Sequence, residues 1–153
     1  MDDNDRTPLL QRLEPFVGRW TMEALFPGVE PTGPTGRTTF EWMLGGQFLL
    51  QRTEVSEPGA PEAVMIVGLD PEGAAFTQHY FDSRGVARLY SMNVEERIWT
   101  LQRDTPDFTS LPFRQRFVGH FSEDGGRIDG RWERSQDGAS WEHDFELIYE
   151  RIT

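Results

Sequence analysis

Through most of the chain apolar residues alternate with polar ones, which is the period of a half-buried strand and not of an amphipathic helix. The last such run is the clearest. Trp141, His143, Phe145, Leu147, Tyr149 and Arg151 alternate there with Glu142, Asp144, Glu146, Ile148 and Glu150, so one face is aromatic and the other mostly acidic. The run before it places Ile128, Gly130 and Trp132 on one side and Arg127, Asp129, Arg131 and Glu133 on the other. Arg131 and Glu133 are then expected to face the acidic row across the ladder, with roughly a few tenths of a kcal/mol per ion pair. Phe113, Gln115, Phe117, Gly119 and Phe121 share a face in the same way, as do Phe16, Gly18, Trp20, Met22 and Ala24.

Turn residues punctuate these runs. Gly45-Gly46, Asp70-Pro71-Glu72-Gly73, Ser83-Arg84-Gly85, Asp124-Gly125-Gly126 and Asp137-Gly138 each supply the backbone freedom or preset φ that a tight reversal needs. Between them the pattern predicts strands near 16–26, 36–44, 46–56, 63–69, 74–82, 86–93, 97–104, 113–122, 127–135 and 140–150. The exception is Thr7 to Leu13, where Thr7 suits an N-cap, Pro8 the first helical position, and Leu9, Leu10 and Leu13 form an apolar stripe. One short helix is expected there. The Pro- and Gly-rich stretches 27–36, 56–61 and 104–112 are longer than hairpins need, and we read them as rim loops of a single domain spanning 1–153.

So many aromatic groups on matching faces require an apolar partner, and one helix cannot supply it. The economical architecture is all-β, about ten antiparallel strands in an up-and-down barrel closed on itself, with the helix at one end. Composition narrows the chemistry. The 15 basic residues are all Arg, Asp and Glu total 26, the net charge is −11 and Cys is absent. There is no lysine for a Schiff base or phosphate loop and no thiolate for catalysis or metal binding. A surface this acidic argues against nucleic acid and anionic membrane as partners. With no apolar leader near the start of the chain, the expected location is the cytoplasm.

Phe16-Val17-Gly18-Arg19-Trp20, preceded by a short helix and followed by a barrel ending in Arg, resembles the calycin, or lipocalin-like, superfamily. The resemblance implies that Trp20 closes one end of the barrel and stacks on Arg151. Phe40-Glu41-Trp42, Gly45-Gly46-Gln47-Phe48-Leu49, Tyr80-Phe81-Asp82-Ser83-Arg84-Gly85 and Ser135-Gln136-Asp137-Gly138 with Trp141-Glu142 are similar to a family of uncharacterised bacterial lipocalin-like proteins over nearly the whole chain. A more distant similarity, carried by Trp20, Phe26-Pro27 and His143, is to the nitrobindins. It implies heme held by one histidine and action on reactive nitrogen species, although this chain lacks their glycine series after the Trp and their His-Leu pair. Fatty-acid-binding proteins share the strand count, but the 27–36 loop offers no helical lid.

Strict alternation places His143 inside with Trp141 and Phe145. It leaves the facing of His79 open and puts His120 outside. The residues assigned to a lumen are Trp42, Gln115, Phe117, Trp132, His143 and Phe145, with Tyr80 or Gln78 and Tyr90 or Arg88 as further polar groups that could orient a ligand. No nucleophile elbow, carboxylate pair in a cleft or close-spaced histidine pair is present, so no catalytic residue and no metal site is assigned. The favoured expectation is a non-enzymatic barrel that takes a small apolar or aromatic molecule, with no cofactor. Two alternatives stay open: a heme protein with His143 as iron ligand, and a filled barrel that self-associates as a homodimer through an exposed strand face.

Overall fold

The structure is a computed structural model that describes residues 7–31, 33–56, 59–70, 72, 75–106 and 112–152. Ten antiparallel strands follow one another around a closed barrel: β1 (Gly18–Leu25), β2 (Gly36–Met43), β3 (Phe48–Val55), β4 (Ala63–Leu69), β5 (Phe76–Asp82), β6 (Ala87–Glu95), β7 (Ile98–Arg103), β8 (Arg114–Phe121), β9 (Arg127–Ser135) and β10 (Glu142–Arg151). β1 pairs with both β2 and β10, so every strand has two neighbours and no ladder is left unpaired. The all-β barrel with one N-terminal helical segment is the architecture the alternation predicted. No helix among the described residues is long and apolar enough to cross a membrane.

The helical segment differs in kind from the expectation. A single α turn, Thr7–Leu10, passes into a 3₁₀ helix, Gln11–Phe16, so the first strand begins at Gly18 and not at Phe16. The reason lies in the spacing. Leu10, Leu13 and Phe16 recur every third residue and line up on one face of a three-residue turn, and all three are buried. Pro15 within the segment has no N–H to donate, so the turn forgoes the bond that an interior residue there would make.

The two ends of the barrel are built differently. At one end the strands reverse tightly: Leu44, Gly45 and Gly46 have φ of 51°, 70° and 79°, and Glu96 and Arg97 have φ of 50° and 68°. The helical segment packs into this end, where Phe16 touches Phe40, Trp99 and Phe121 at centroid distances of 5.1, 4.9 and 5.1 Å. At the other end lie the long connections 26–35, 56–62 and 104–113, the stretches read from composition as rim loops. The expected turn at Asp70 is closed by the Asp70 N–H donating to Ala75 O at 2.9 Å, while Pro71 and Gly73 lie outside the described residues.

β10 carries the main correction. Its pairing with β9 shifts between His143 and Phe145, so Asp144 is an extra residue in a bulge. From Phe145 onward the predicted facing holds. Before the bulge it reverses: His143 sits opposite Glu133, whose carboxylate meets the outward Arg116 at 2.9 Å, and the Arg116 guanidinium lies 4.1 Å over the Trp141 ring. Trp141 and His143 therefore belong to the outer wall. The outer ion pairs are Arg116–Glu133 and Arg127 with Asp129 and Glu150, whereas Arg131 stands opposite Glu146 in register. His79 also faces out, stacked on Phe81 with ring centroids 6.4 Å apart, and His120 is exposed opposite Asp129.

Candidate functional site

Trp20 and Arg151 anchor the closed end. They are register partners on β1 and β10, and the guanidinium lies 4.2 Å over the indole. Arg151 also donates to Val17 O at 2.7 Å and Pro15 O at 2.6 Å, while Trp20 Nε1 donates to Phe16 O at 2.8 Å. One cation thus satisfies two carbonyls at the end of the helical segment and closes the strand-to-helix junction. Gly18 makes room for it. Its φ is +132°, and a Cβ there would stand 2.6 Å from Arg151 Nη1. Trp42 belongs to this end too, its Nε1 donating to Glu14 Oε1 at 3.3 Å.

Toward the looped end the inward faces do not meet, and a cavity of about 430 Å³ opens among them. Its aromatic wall is a column that starts at the plug. Phe16 meets Trp99, Trp99 meets Phe117 at 4.8 Å, Phe117 meets Trp132 at 5.1 Å, and Trp132 meets Phe145 at 6.5 Å. Two facing glycines create the space for Phe117: a Cβ on Gly130 would overlap its ring, and one on Gly119 would stand 3.0 Å from it. Met65, Leu101 and Leu147 are among the other apolar residues of the wall.

Polar groups punctuate this wall. Tyr90 Oη and Arg88 Nη1 donate to the same acceptor, Gln115 Oε1, at 3.0 and 3.2 Å. Tyr80 Oη donates to Asp82 Oδ2 at 2.8 Å, and the same carboxylate receives Arg84 Nε, Arg84 Nη2 and the Arg84 backbone N–H at 3.1, 2.6 and 2.9 Å. Burial by itself would raise the Asp82 pKa, but these donors outweigh it and hold the carboxyl at about 2. Burial, then the hydrogen bond to Asp82, push the Tyr80 phenol well above its usual range, and burial does the same to Tyr149.

Several buried polar atoms have no partner. Gln51, 1% exposed on the inward face of β3, lies beside Tyr149, yet neither of its amide atoms has a hydrogen bond of acceptable geometry. Trp99 Nε1 and Arg88 Nε are likewise buried without an acceptor. Such groups cost free energy unless something satisfies them.

Of the residues assigned from sequence, Gln115, Phe117, Trp132 and Phe145 line the cavity together, and Gln78, Tyr80, Arg88 and Tyr90 all do so as well. Trp42 and His143 do not. The Asp144 bulge moves His143 outside, where its Nδ1 is buried without a partner, and Trp42 is taken up by the plug. With His79 and His120 also turned outward, no histidine lines the lumen, so the donor set does not fit a histidine-ligated heme. No group of His, Asp and Glu among the described residues could hold a metal ion. Gln51, Met65, Arg84 and Tyr149 were missed. Gln51 carried a signal, a polar residue in phase with Leu49, Thr53 and Val55 on an otherwise inward face.

The fold and site define a class: a closed antiparallel barrel, plugged at one end, with an aromatic-walled cavity at the other. The chain belongs to the family described as "Protein of unknown function (DUF1579)", whose model matches residues 7–151. A search of curated proteins finds no match. Among solved structures it is similar to Rv2717c from M. tuberculosis, with a TM-score of 0.61 and 15% identity over 95% of this chain and 98% of that one. At that identity the likeness concerns the fold.

Proposed function

We propose that the protein is a lipocalin-like carrier or sensor that binds a small apolar or aromatic molecule in the looped half of the barrel. The observation that carries this reading is the cavity itself. A filled barrel would not leave about 430 Å³ bounded by aromatic rings with unsatisfied Gln51, Trp99 and Arg88 atoms in its wall. Predominantly apolar walls with a few placed polar groups are what ligand pockets of this size have in common. Trp99 and Trp132 stand in or beside the cavity, so a bound ring system quenches or accepts tryptophan emission. Titration with N-phenylnaphthylamine, a neutral ring compound, is expected to give saturable binding with one site per chain. Unsaturable, non-specific partitioning would contradict the reading.

A second reading, self-association, has its own observation. Leu50, Ile66, His79 and Leu89 are consecutive register partners on the outer face of β3 to β6, and Val64, Phe81 and Ala87 form the next row. Bordered by Arg52, the β3 partner of Val64, this mostly apolar band stands out on a chain that is 27% charged. Sedimentation equilibrium at micromolar concentration tests it: a dimer supports this surface as a contact between two copies, and a monomer excludes it.

A further inference from the structure

Resting on the reading of the lumen as a binding cavity, we infer that its mouth recognises a monoanionic, carboxylate-like end of an amphipathic ligand through Arg88. The first observation is the sign of the wall. The chain carries 26 acidic residues against 15 basic, yet among the described residues the charged groups lining the cavity are Arg84 and Arg88, with no Asp or Glu. The Asp82 carboxylate lies behind this wall, taken up by Tyr80 and Arg84, so the lining itself carries cations on an otherwise acidic protein.

The second observation distinguishes the two arginines. Arg84 is matched by the Asp82 carboxylate at 2.6 Å. Arg88 makes no ion pair among the described residues. Its Nη1 donates to a neutral acceptor, Gln115 Oε1 at 3.2 Å, and its Nε is buried with no acceptor at all. Gln115 orients this guanidinium without neutralising it, and Tyr90, bonded to the same oxygen, fixes Gln115 in turn. A partly buried cation held in place but left without a counter-charge is a preformed anion site, because a guanidinium offers a planar fork that a carboxylate fits.

Position supplies the third observation. Arg88 is opposite Tyr80 at the start of β6, beside the 82–86 reversal at the looped end, whereas Leu101, Phe117 and Trp132 lie further along the wall. A ligand would enter with its apolar body first and leave its anionic end at the rim. The protein's overall net charge of −11 works against casual anion binding, so affinity for an anion must come from a local site.

Two matched probe pairs test this. Anilinonaphthalene sulfonate and N-phenylnaphthylamine share one ring system and differ by the anion. The sulfonate is expected to bind about tenfold more tightly than the neutral compound, and in Arg88→Met the ratio of the two affinities is expected to fall to about one. The second pair needs no variant: dodecanoate should displace bound N-phenylnaphthylamine at about one tenth the concentration that dodecanol requires. Equal potency of dodecanoate and dodecanol, or an unchanged sulfonate preference in Arg88→Met, overturns the anion site while the cavity reading stands. If the neutral dye itself fails to bind, the cavity reading falls and the anion site with it.

Discussion

The two ends of this barrel are made from the same ten strands, and they have been put to different uses. At the plugged end the side-chain donors that tie the helical segment to the barrel have acceptors. Arg151 serves Val17 and Pro15 while covering Trp20, Trp20 serves Phe16, and Trp42 serves Glu14. Gln51 and Arg88 keep buried atoms without partners around the open space toward the looped end, and Trp99 Nε1 does so where the cavity wall meets the plug. The difference indicates where stability is concentrated and where it has been given up. Satisfied, close-packed contacts hold the fold at one end, and unsatisfied polar groups near a cavity are the recurring mark of a site that awaits something else.

If this division is right, perturbing the two ends should separate stability from binding. The largest effect is expected at the plug. Arg151→Ala removes a cation–π contact and two charge-assisted hydrogen bonds, a loss of about 3 kcal/mol in urea unfolding, with dye affinity of the folded protein little changed. Gly18→Ala should act in the same direction, through its positive φ and the clash with Arg151. Next comes the cavity wall. Trp132→Ala is expected to weaken N-phenylnaphthylamine binding by about tenfold in a fluorescence titration, because it removes a stacking surface from the column. Gln51→Leu should raise stability by about 1 kcal/mol, since an apolar group of similar shape replaces an unsatisfied buried amide. A stability loss there would mean that Gln51 is satisfied in the free protein.

The pH dependence sharpens the comparison at the mouth. The Asp82 pKa is lowered by folding, so its contribution is present above the ordinary carboxylate pKa near 4 and is lost as the pH falls toward about 2. Thermal melts between pH 6 and 2 should therefore show a decline that is smaller in Asp82→Asn than in the parent. The smallest effect is expected from His143→Ala. Dye affinity should be unchanged, and hemin reconstitution should look the same with and without the imidazole, because the residue lies on the outer wall.

Much of this was legible in the sequence, because period-two alternation and turn residues act locally. The strand order, the rim loops, the pairing of Trp20 with Arg151 and four wall residues, Gln115, Phe117, Trp132 and Phe145, all follow from patterns within single strands or from the family resemblance. What escaped was whatever depends on register. One inserted residue, Asp144, reverses the facing of everything before it in the strand, and an alternation count through a bulge assigns His143 and Trp141 to the wrong side. The helical type escaped for a related reason: apolar residues three apart fit both an α-helical stripe and a 3₁₀ face, and only packing against the barrel decides. The pairing state of Arg88 and Gln51 was not legible at all, since it depends on which side chains meet across strands far apart in sequence.

On this reading the looped half of the lumen is a ligand site and not a packing defect. Calorimetric titration of N-phenylnaphthylamine into the parent protein and into Ala63→Trp, which places an indole into the mouth, tests it most directly. One-site binding to the parent and its loss in the variant are expected, with the melting temperature of the variant little altered. Equal binding to both proteins would contradict it, because the dye would then be held somewhere other than this cavity.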